Sequence, residues 1–175
     1  MCRHCKCSKK SHCKDSIVGS YAANDTAQAG TPDEFVTNSV YVFNEDGTFS
    51  GICGAEIGSP TPKYPDGNFA TYAPGIWRRV SDKHYQIVAN SVLTLKNTPS
   101  NCGTALNPFP CKPNYPNDPV ARLRLQGDLY LDSDCKGFQA TVTITGHPLN
   151  DLSVSLPLPG YPSSTQTWVA RKLTF

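Results

Sequence analysis

The chain has 175 residues, and its formal net charge is only +2. This length predicts a single domain with enough chain to bury a core, and the near balance of charge gives no case for nucleic-acid binding, which would need a broad basic face. No stretch is long and apolar enough to cross a membrane as a helix, so we expect no membrane association. The polar, basic start is not a secretory signal, and we therefore expect a protein that stays inside a cell or is packaged into a particle.

The first fifteen residues, MCRHCKCSKKSHCKD, form a segment that is distinct from the rest of the chain. This segment holds half of the eight cysteines and half of the four histidines, beside five basic side chains. Cys-x-x-Cys spacing lets one turn supply two thiolates to a tetrahedral zinc ion, and nearby cations favour the thiolate form. The composition therefore predicts a zinc site whose candidate ligands are Cys2, His4, Cys5, Cys7, His12 and Cys13.

Two other interpretations of residues 1–15 stay open. The cysteines can oxidise into disulfides within or between chains, or the segment can be a basic tail that carries free thiols. The same tail is the one part of the chain that we expect to be able to bind nucleic acid, through phosphate contacts that weaken steeply as salt is added.

The following domain, residues 16–175, begins with short predicted strands separated by turns. Residues 17–23 form the first strand. Residues 36–43 and 48–53 form a hairpin, because the Asp-Gly pair between them suits the positive backbone dihedrals of a tight turn. Residues 58–74 contain four prolines and predict a loop.

The second half of the domain continues this pattern. A hairpin over residues 75–95 turns at 81–83, and a loop with six prolines covers 97–119. Residues 120–131 and 138–145 alternate strictly between apolar and polar side chains, as half-buried strands do. A short strand near 152–156 and a last strand over 166–174 complete the set.

Strands with one apolar and one polar face need a shared core, and no segment predicts a helix. We therefore expect an all-β fold, an antiparallel barrel of eight or nine strands that carries the N-terminal segment as an extension. A β-sandwich is the alternative, since it buries the same alternating faces between two sheets.

Several short motifs resemble those of calycin-like small barrels, in particular lipocalin-like domains. They are the opening Gly-Ser-Tyr strand at 19–21, the hairpin segment 43–49, the Gly-Ile-Trp strand at 75–77 and the late hairpin 127–145. The resemblance implies a barrel with its apolar face inward and a cavity for a small apolar ligand. It carries over no catalytic residue. Strand side chains that would line such a cavity are Tyr21, Phe43, Trp77, Tyr85, Leu125 and Phe138.

The remaining cysteines suggest two disulfides. A Cys102–Cys111 bond would close a small loop within the proline-rich connection. Cys53 and Cys135 fall at predicted strand ends and can pair across the sheet, or they can be buried free thiols that pack as small apolar side chains.

Titratable side chains outside residues 1–15 give no catalytic motif. Asp128 shares a polar strand face with Arg122 and Arg124, which predicts a ladder of exposed charges. His84 and His147 lie near turns without a neighbouring nucleophile motif, so we expect both to be exposed to solvent.

The sequence therefore favours a non-enzymatic structural or interaction protein, such as a component of an assembled particle like a virion. Its N-terminal segment would bind zinc or cross-link, and its partner would be another protein or a second copy of itself. Two alternatives stay open: a calycin-like carrier of a small apolar ligand, and a barrel enzyme of the cyclase or isomerase type.

Overall fold

The structure, a computed structural model, describes residues 16–32, 34–53, 68–70, 72–96, 117–158 and 163–174. Every regular element in these ranges is a strand, so the all-β prediction is confirmed. The strands in chain order are β1 Gly19–Ala27, β2 Phe35–Phe43, β3 Thr48–Cys53, β4 Asn68–Ala70, β5 Ala73–Ser81, β6 His84–Lys96, β7 Asn117–Leu131, β8 Gly137–His147 and β9 Ser164–Lys172.

All strand pairs are antiparallel, and the pairing closes on itself. β1 pairs with both β2 and β9, and β6 pairs with β7 along nearly its whole length. β7 occupies one side of β6, so β4 and β5 must both lie on the other side, in line as one interrupted strand. The result is a closed barrel with eight strand positions, which leaves no long sheet edge unpaired. The predicted barrel is therefore confirmed, and the sandwich alternative is not formed.

The predicted alternation determines which side chains enter the barrel. On β7, Leu123, Leu125 and Leu129 point inward and are buried, whereas Arg122 and Arg124 lie on the outer face. β8 alternates in the same way over its whole length. Burial of these apolar side chains supplies the main driving force for closing the barrel.

One end of the barrel, which we call the turn end, is closed by short connections. These are residues 44–47, 82–83 and 132–136, together with the entering segment 16–18. Gly47 has a φ of 83°, which permits the tight turn that the Asp-Gly pair predicted. Interlocking aromatic rings fill the barrel here, with centroids 4.9–5.8 Å apart: Tyr21, Phe43, Phe49 and Phe138.

The opposite end, which we call the loop end, carries the longer connections 28–34, 54–67, 97–116 and 148–163. The inward side chains near this end include small and polar ones, Asp25, Ala27, Ser39, Ala73 and Ser91, beside the buried Leu93, Leu123, Ile144 and Trp168. The two ends of one barrel therefore differ in their connections, and the loop end adds buried polar groups to an apolar interior.

Three strand predictions need correction. β4 and the start of β5 fall within residues 58–74, which were predicted to be a loop. β7 begins at Asn117 rather than 120 and includes Pro119, which is tolerated because the register with β6 shifts at that point.

No strand forms near residues 152–156. Asp151 instead organises a turn, in which its carboxylate accepts hydrogen bonds from the Ser153 hydroxyl at 2.7 Å and the Leu156 N–H at 2.8 Å. Leu152 and Leu156 remain exposed, so their alternation with Val154 does not produce a buried face. Hydrogen bonds between the Asp151 side chain and the nearby backbone favour this turn over the strand that the apolar residues predicted.

Candidate functional site

The residues predicted to line a ligand cavity fill the barrel instead. Tyr21, Phe43, Tyr85 and Phe138 are buried almost completely and pack as a cluster, while Leu125 and Trp77 lie against the same core. Further inward side chains from β6, β7 and β8 retain no exposed surface: Ile87, Ala89, Leu93, Ala121, Leu129 and Val142. Within the described residues, these positions therefore provide a packed core rather than the wall of an open cavity.

A buried carboxyl group lies in the interior toward the loop end. Asp25 of β1 is 2% exposed, and its Oδ2 accepts hydrogen bonds from the Ser39 hydroxyl and, at 2.5 Å, from the Tyr41 hydroxyl. The Tyr41 ring stacks on Trp168 with centroids 4.3 Å apart. Asp25 Oδ1 is buried and has no hydrogen-bond partner among the residues that the structure describes. The carboxyl group is therefore held firmly on one side only.

Burial raises the pKa of Asp25 to about 6, although the hydrogen bonds from Ser39 and Tyr41 act in the opposite direction. A carboxyl group that titrates near neutral pH is a feature of acid–base catalysts. Both hydrogen bonds described for Asp25 come from β2, so this carboxyl group connects β1 to β2 inside the barrel. Asp25 was not predicted to be a site residue. The alternation of Tyr21, Ala23, Asp25 and Ala27 along β1 is the sequence signal that indicates its inward position.

A concave region on the outer face of β5, β6, β7 and β8 is the second candidate. We call it the outer trough. Its β5–β7 part has a volume of about 300 Å³, and its β7–β8 part, which shares residues 126–128, has about 410 Å³. The backbone of Trp77, Ile87 and Gly127, which are neighbours across three strands, forms its floor. The trough therefore runs across the strands, between two rows of outward side chains.

The two walls of the outer trough differ in chemistry. Ile76, Val88 and Gln126 form one row, and Arg78, Gln86 and Asp128 form the other. On β8 the trough continues between threonines, Thr141 and Thr143, with Arg124 and Thr145 beyond them. One wall is thus mainly apolar, and the other is a row of groups that donate and accept hydrogen bonds.

Hydrogen bonds connect the polar wall into one network. Arg78 donates to Gln86 Oε1 from Nε at 3.1 Å and from Nη2 at 2.7 Å. Gln86 in turn donates to Asp128 Oδ1 at 3.2 Å, and His84 Nε2 lies 2.8 Å from the same oxygen. The His84 ring stacks on Tyr130 with centroids 4.5 Å apart. The hydrogen bond from His84 lowers the pKa of Asp128, so this carboxylate is charged at neutral pH.

This network bears on two sequence predictions. Asp128 lies on the outer face with a side chain that is 47% exposed, as predicted, and its described contacts are with His84 and Gln86. The side chain of His84, expected to be exposed, is only 19% exposed. The reason is register, because antiparallel pairing of β6 with β7 brings together residues that are 44 positions apart.

His147 also differs from its prediction. It was expected to be exposed to solvent, but it is 5% exposed, and its Nδ1 lies 2.8 Å from the carbonyl oxygen of Leu156. The turn organised by Asp151 brings this carbonyl over the end of β8. The imidazole therefore connects the turn to the barrel.

The cysteines are distributed over both ends of the barrel. Cys53 ends β3 at the loop end, whereas Cys135 lies in the turn 132–136 at the opposite end and is disulfide-bonded. A disulfide holds two Cα atoms within about 7 Å of each other, so this placement gives no support to a Cys53–Cys135 bond. Cys102, Cys111 and the six candidate zinc ligands of residues 1–15 lie outside the described residues.

Within the described ranges, no group of three or more His, Cys, Asp or Glu side chains could hold a metal ion. A search of the same ranges finds no helix of the length and hydropathy that a membrane crossing requires. Comparisons of the chain with models of protein families, with curated proteins and with solved structures found no match.

Proposed function

We propose that this chain is a non-enzymatic interaction protein that uses the outside of a packed barrel to associate with a second copy of itself. The observation that carries the proposal is a broad outer face without charge, which we call the uncharged face. It comprises the outward positions in the middle of β8, β9, β1, β2 and β3. Protein surfaces that remain in water usually carry charged side chains at about a quarter to a third of their positions.

The composition of the uncharged face favours contact with protein. Its outward residues on β8, β9 and β1 are threonine, asparagine, alanine and valine, and its outward residues on β2 and β3 are mostly valine, isoleucine, serine and asparagine. Val40 and Ile52 lie directly opposite each other on β2 and β3, with exposures of 44% and 42%. Val36 on β2 and Val169 on β9 are also exposed. Burial of such side chains favours association by about 25 cal/mol per Å² of apolar area.

The other half of the barrel surface is different. Outward positions of β5 and β7 carry Arg78, Arg122, Arg124 and Asp128. A charged partner would find no complementary group on the uncharged face, whereas two copies of that face match each other. An isologous pair, in which the same patch from both chains meets, is the commonest symmetry of protein dimers. We therefore name a second copy as the occupant of this face.

Sedimentation velocity tests the proposal over a concentration range of roughly 1 to 100 µM, which covers affinities typical of specific complexes. The native chain should form dimers, and the double variant Val40→Lys, Ile52→Lys should be monomeric, because lysine pairs placed face to face repel each other. Val80→Lys is the matched control, since Val80 is 48% exposed on β5 outside the uncharged face. A native chain that stays monomeric over the whole range would overturn the proposal, as would a double variant that dimerises normally.

The N-terminal segment belongs to the same proposal as a cross-linking element. Residues 16–18 enter the barrel at the turn end, where Lys172 Nζ donates to the Val18 carbonyl at 2.6 Å and Lys172 N–H donates to the Lys136 carbonyl at 2.7 Å. The turn with Cys135 is therefore adjacent to the point where residues 1–15 join the barrel. We propose that Cys135 is bonded to one of Cys2, Cys5, Cys7 and Cys13.

The short length of chain between Cys13 and the barrel favours Cys13 as the partner of Cys135. It precedes Ser16 by three residues, and three extended residues span about 10 Å. Cys53 ends β3 at the opposite, loop end. Peptide mapping of the non-reduced protein should recover a peptide pair that contains Cys135 and an N-terminal cysteine. A pair that joins Cys135 to Cys53, Cys102 or Cys111 would contradict this assignment.

Zinc content separates the two interpretations of residues 1–15. If one N-terminal cysteine is bonded to Cys135, three cysteines and two histidines remain as candidate ligands, which is still enough for a four-ligand site. Zinc bound to the native protein and lost on removal of residues 1–15 would add a metal site to the cross-link. The carrier and enzyme alternatives are less well supported, because the described interior is filled by side chains.

A further inference from the structure

We propose that the outer trough is a binding site for a neutral, linear oligosaccharide. This inference concerns strands β5 to β8, shares with the uncharged face only the outward threonines of β8, and does not depend on self-association. Three properties of the trough lead to it: its shape, the pairing of one apolar with one polar wall, and the hydrogen bonds that hold the polar wall in place.

The shape suits a linear ligand. The trough crosses four neighbouring strands, β5 to β8, and neighbouring strands are about 4.8 Å apart, so it is roughly 15 Å long. Gly127 lies at its middle, where β7 and β8 approach so closely that a Cβ on Gly127 would clash with the Thr141 carbonyl oxygen and with Val142. Any side chain at position 127 would therefore force these strands to shift.

The walls match the two kinds of surface on a sugar ring. A ring presents C–H groups on its faces and hydroxyls at its edge, and each hydroxyl both donates and accepts a hydrogen bond. Ile76 and Val88 offer an apolar surface to the C–H groups. On the other wall Asp128 accepts, Arg78 donates, and Gln86 does both. Gln126 and the threonines extend this mixed set toward β8.

The polar wall is organised before any ligand arrives. Arg78, Gln86 and Asp128 are linked in series, and His84 holds the carboxylate from the other side. The hydrogen bonds of Gln86 and His84 both go to Asp128 Oδ1, and Asp128 Oδ2 has no partner among the described residues. Side chains that are already ordered lose less entropy on binding, which favours affinity for a ligand that offers many weak contacts.

The charge of the trough points to a neutral ligand. Two arginines, Arg78 and Arg124, line it, but Arg78 is engaged with Gln86, and the Asp128 carboxylate lies between them on the same surface. A polyanion would have to approach this carboxylate. Neutral hydroxyls can instead donate to Asp128 and accept from the arginines at the same time.

The test uses the full ¹⁵N-labelled chain and NMR titration with four neutral hexasaccharides: cellohexaose, maltohexaose, mannohexaose and chitohexaose. A sulfated heparin hexasaccharide is the anionic comparison. At least one neutral probe should shift amides of β5 to β8 in a saturable manner. Its affinity should change by less than about twofold between roughly 50 and 300 mM NaCl, because no net charge is neutralised on binding.

Variants link the shifts to the trough. Gln126→Ala and Asp128→Asn should each weaken binding at least about tenfold, since each removes hydrogen bonds that a sugar makes on that wall. Thr167→Ala lies on the outward face of β9 and should bind like the native chain. The native fold of each variant is read from the same spectra.

Two results would overturn the proposal. The first is the absence of localised shifts with all four neutral probes at millimolar concentration. The second is binding of the sulfated probe alone, with an affinity that falls steeply as salt is added, which would assign the trough to a polyanion instead.

Discussion

The turn end and the loop end of this barrel are made of the same eight strand positions, but their interiors differ. At the turn end, the rings of Tyr21, Phe43 and Phe138 meet edge to face and Phe49 packs tilted against Phe43, beneath connections of two to five residues. Toward the loop end, the carboxyl group of Asp25 and the hydroxyls of Ser39 and Ser91 are buried among apolar side chains that include Trp168 and Leu123. The comparison shows one end filled by aromatic rings and another whose apolar interior also holds a titratable group.

The largest expected effect is the loss of an aromatic ring at the turn end. Phe138 contacts Tyr21, Tyr41 and Phe43 and is fully buried. Phe138→Ala should lower the free energy of unfolding by about 3–5 kcal/mol, because it removes apolar burial and leaves a cavity. Urea denaturation followed by tryptophan fluorescence measures this. Leu156→Ala, at an exposed position of the loop end, should change stability by less than about 0.5 kcal/mol.

The pH dependence of unfolding tests the loop end. The folded pKa of Asp25 is about 6, against 3.8 for an ordinary aspartate, so between these pH values the folded side chain binds more protons than the unfolded one. The contribution of Asp25 to stability should therefore be greatest below about pH 4 and fall by up to about 3 kcal/mol as the pH rises through 6. Asp25→Asn should remove most of this fall in urea titrations at pH 4.5 and 7.5. If the variant and the native chain show the same slope, Asp25 does not titrate as described.

A smaller effect separates the hydrogen bond from the packing of Tyr41. Tyr41→Phe keeps the ring that stacks on Trp168 but removes the donor to Asp25. The loss should be about 1.5–3 kcal/mol at pH 7.5, where the carboxylate is charged, and about 0.5–1.5 kcal/mol at pH 4.5, where it is neutral. Because the Tyr41 hydroxyl lowers the pKa of Asp25, the midpoint of the pH dependence should also move upward. An equal loss at both pH values would assign the effect to packing alone.

The smallest effect concerns the connection that crosses the loop end after β8. Asp151→Ala removes the acceptor for the Ser153 hydroxyl and the Leu156 N–H. We expect a small loss of stability, together with faster amide exchange near residue 156 and greater solvent access to His147. Hydrogen exchange measures the local change. Protection at residue 156 that equals that of the native chain would show that the turn forms without this carboxylate.

Periodicity was sufficient to predict an all-β fold whose strands each have one apolar face, and it left the barrel and the sandwich as alternatives. The alternation over 120–131 and 138–145 identified which side chains of β7 and β8 point inward, and the Asp-Gly turn identified the β2–β3 hairpin. These features depend on residues that are near each other in the chain. Predictions of this kind need only local chemistry, so they were correct to within a few residues at most strand ends.

Features that depend on register could not be predicted in the same way. The contact of His84 with Asp128 requires knowing which residue of β6 faces which residue of β7, and the partner of Asp25 on β2 raises the same question. The strand predicted near 152–156 was wrong for a different reason. The Asp151 carboxylate accepts the hydrogen bond of a local N–H group that a strand would have donated to a neighbouring strand. The outer trough also depends on register, because its two walls exist only where residues of four strands lie side by side.

The seam between β1 and β9 has a consequence for how the barrel folds. These are the first and last strands of the described chain, so the pair that closes the ring also has the greatest separation along the sequence. Closing so long a loop costs entropy before any contact compensates for it, which places folding in the slow range of roughly milliseconds to seconds. During synthesis β1 presents an unpaired edge until β9 has emerged, and this edge is then exposed to pairing with other chains. The nascent chain is therefore most prone to aggregation in the interval before its barrel closes.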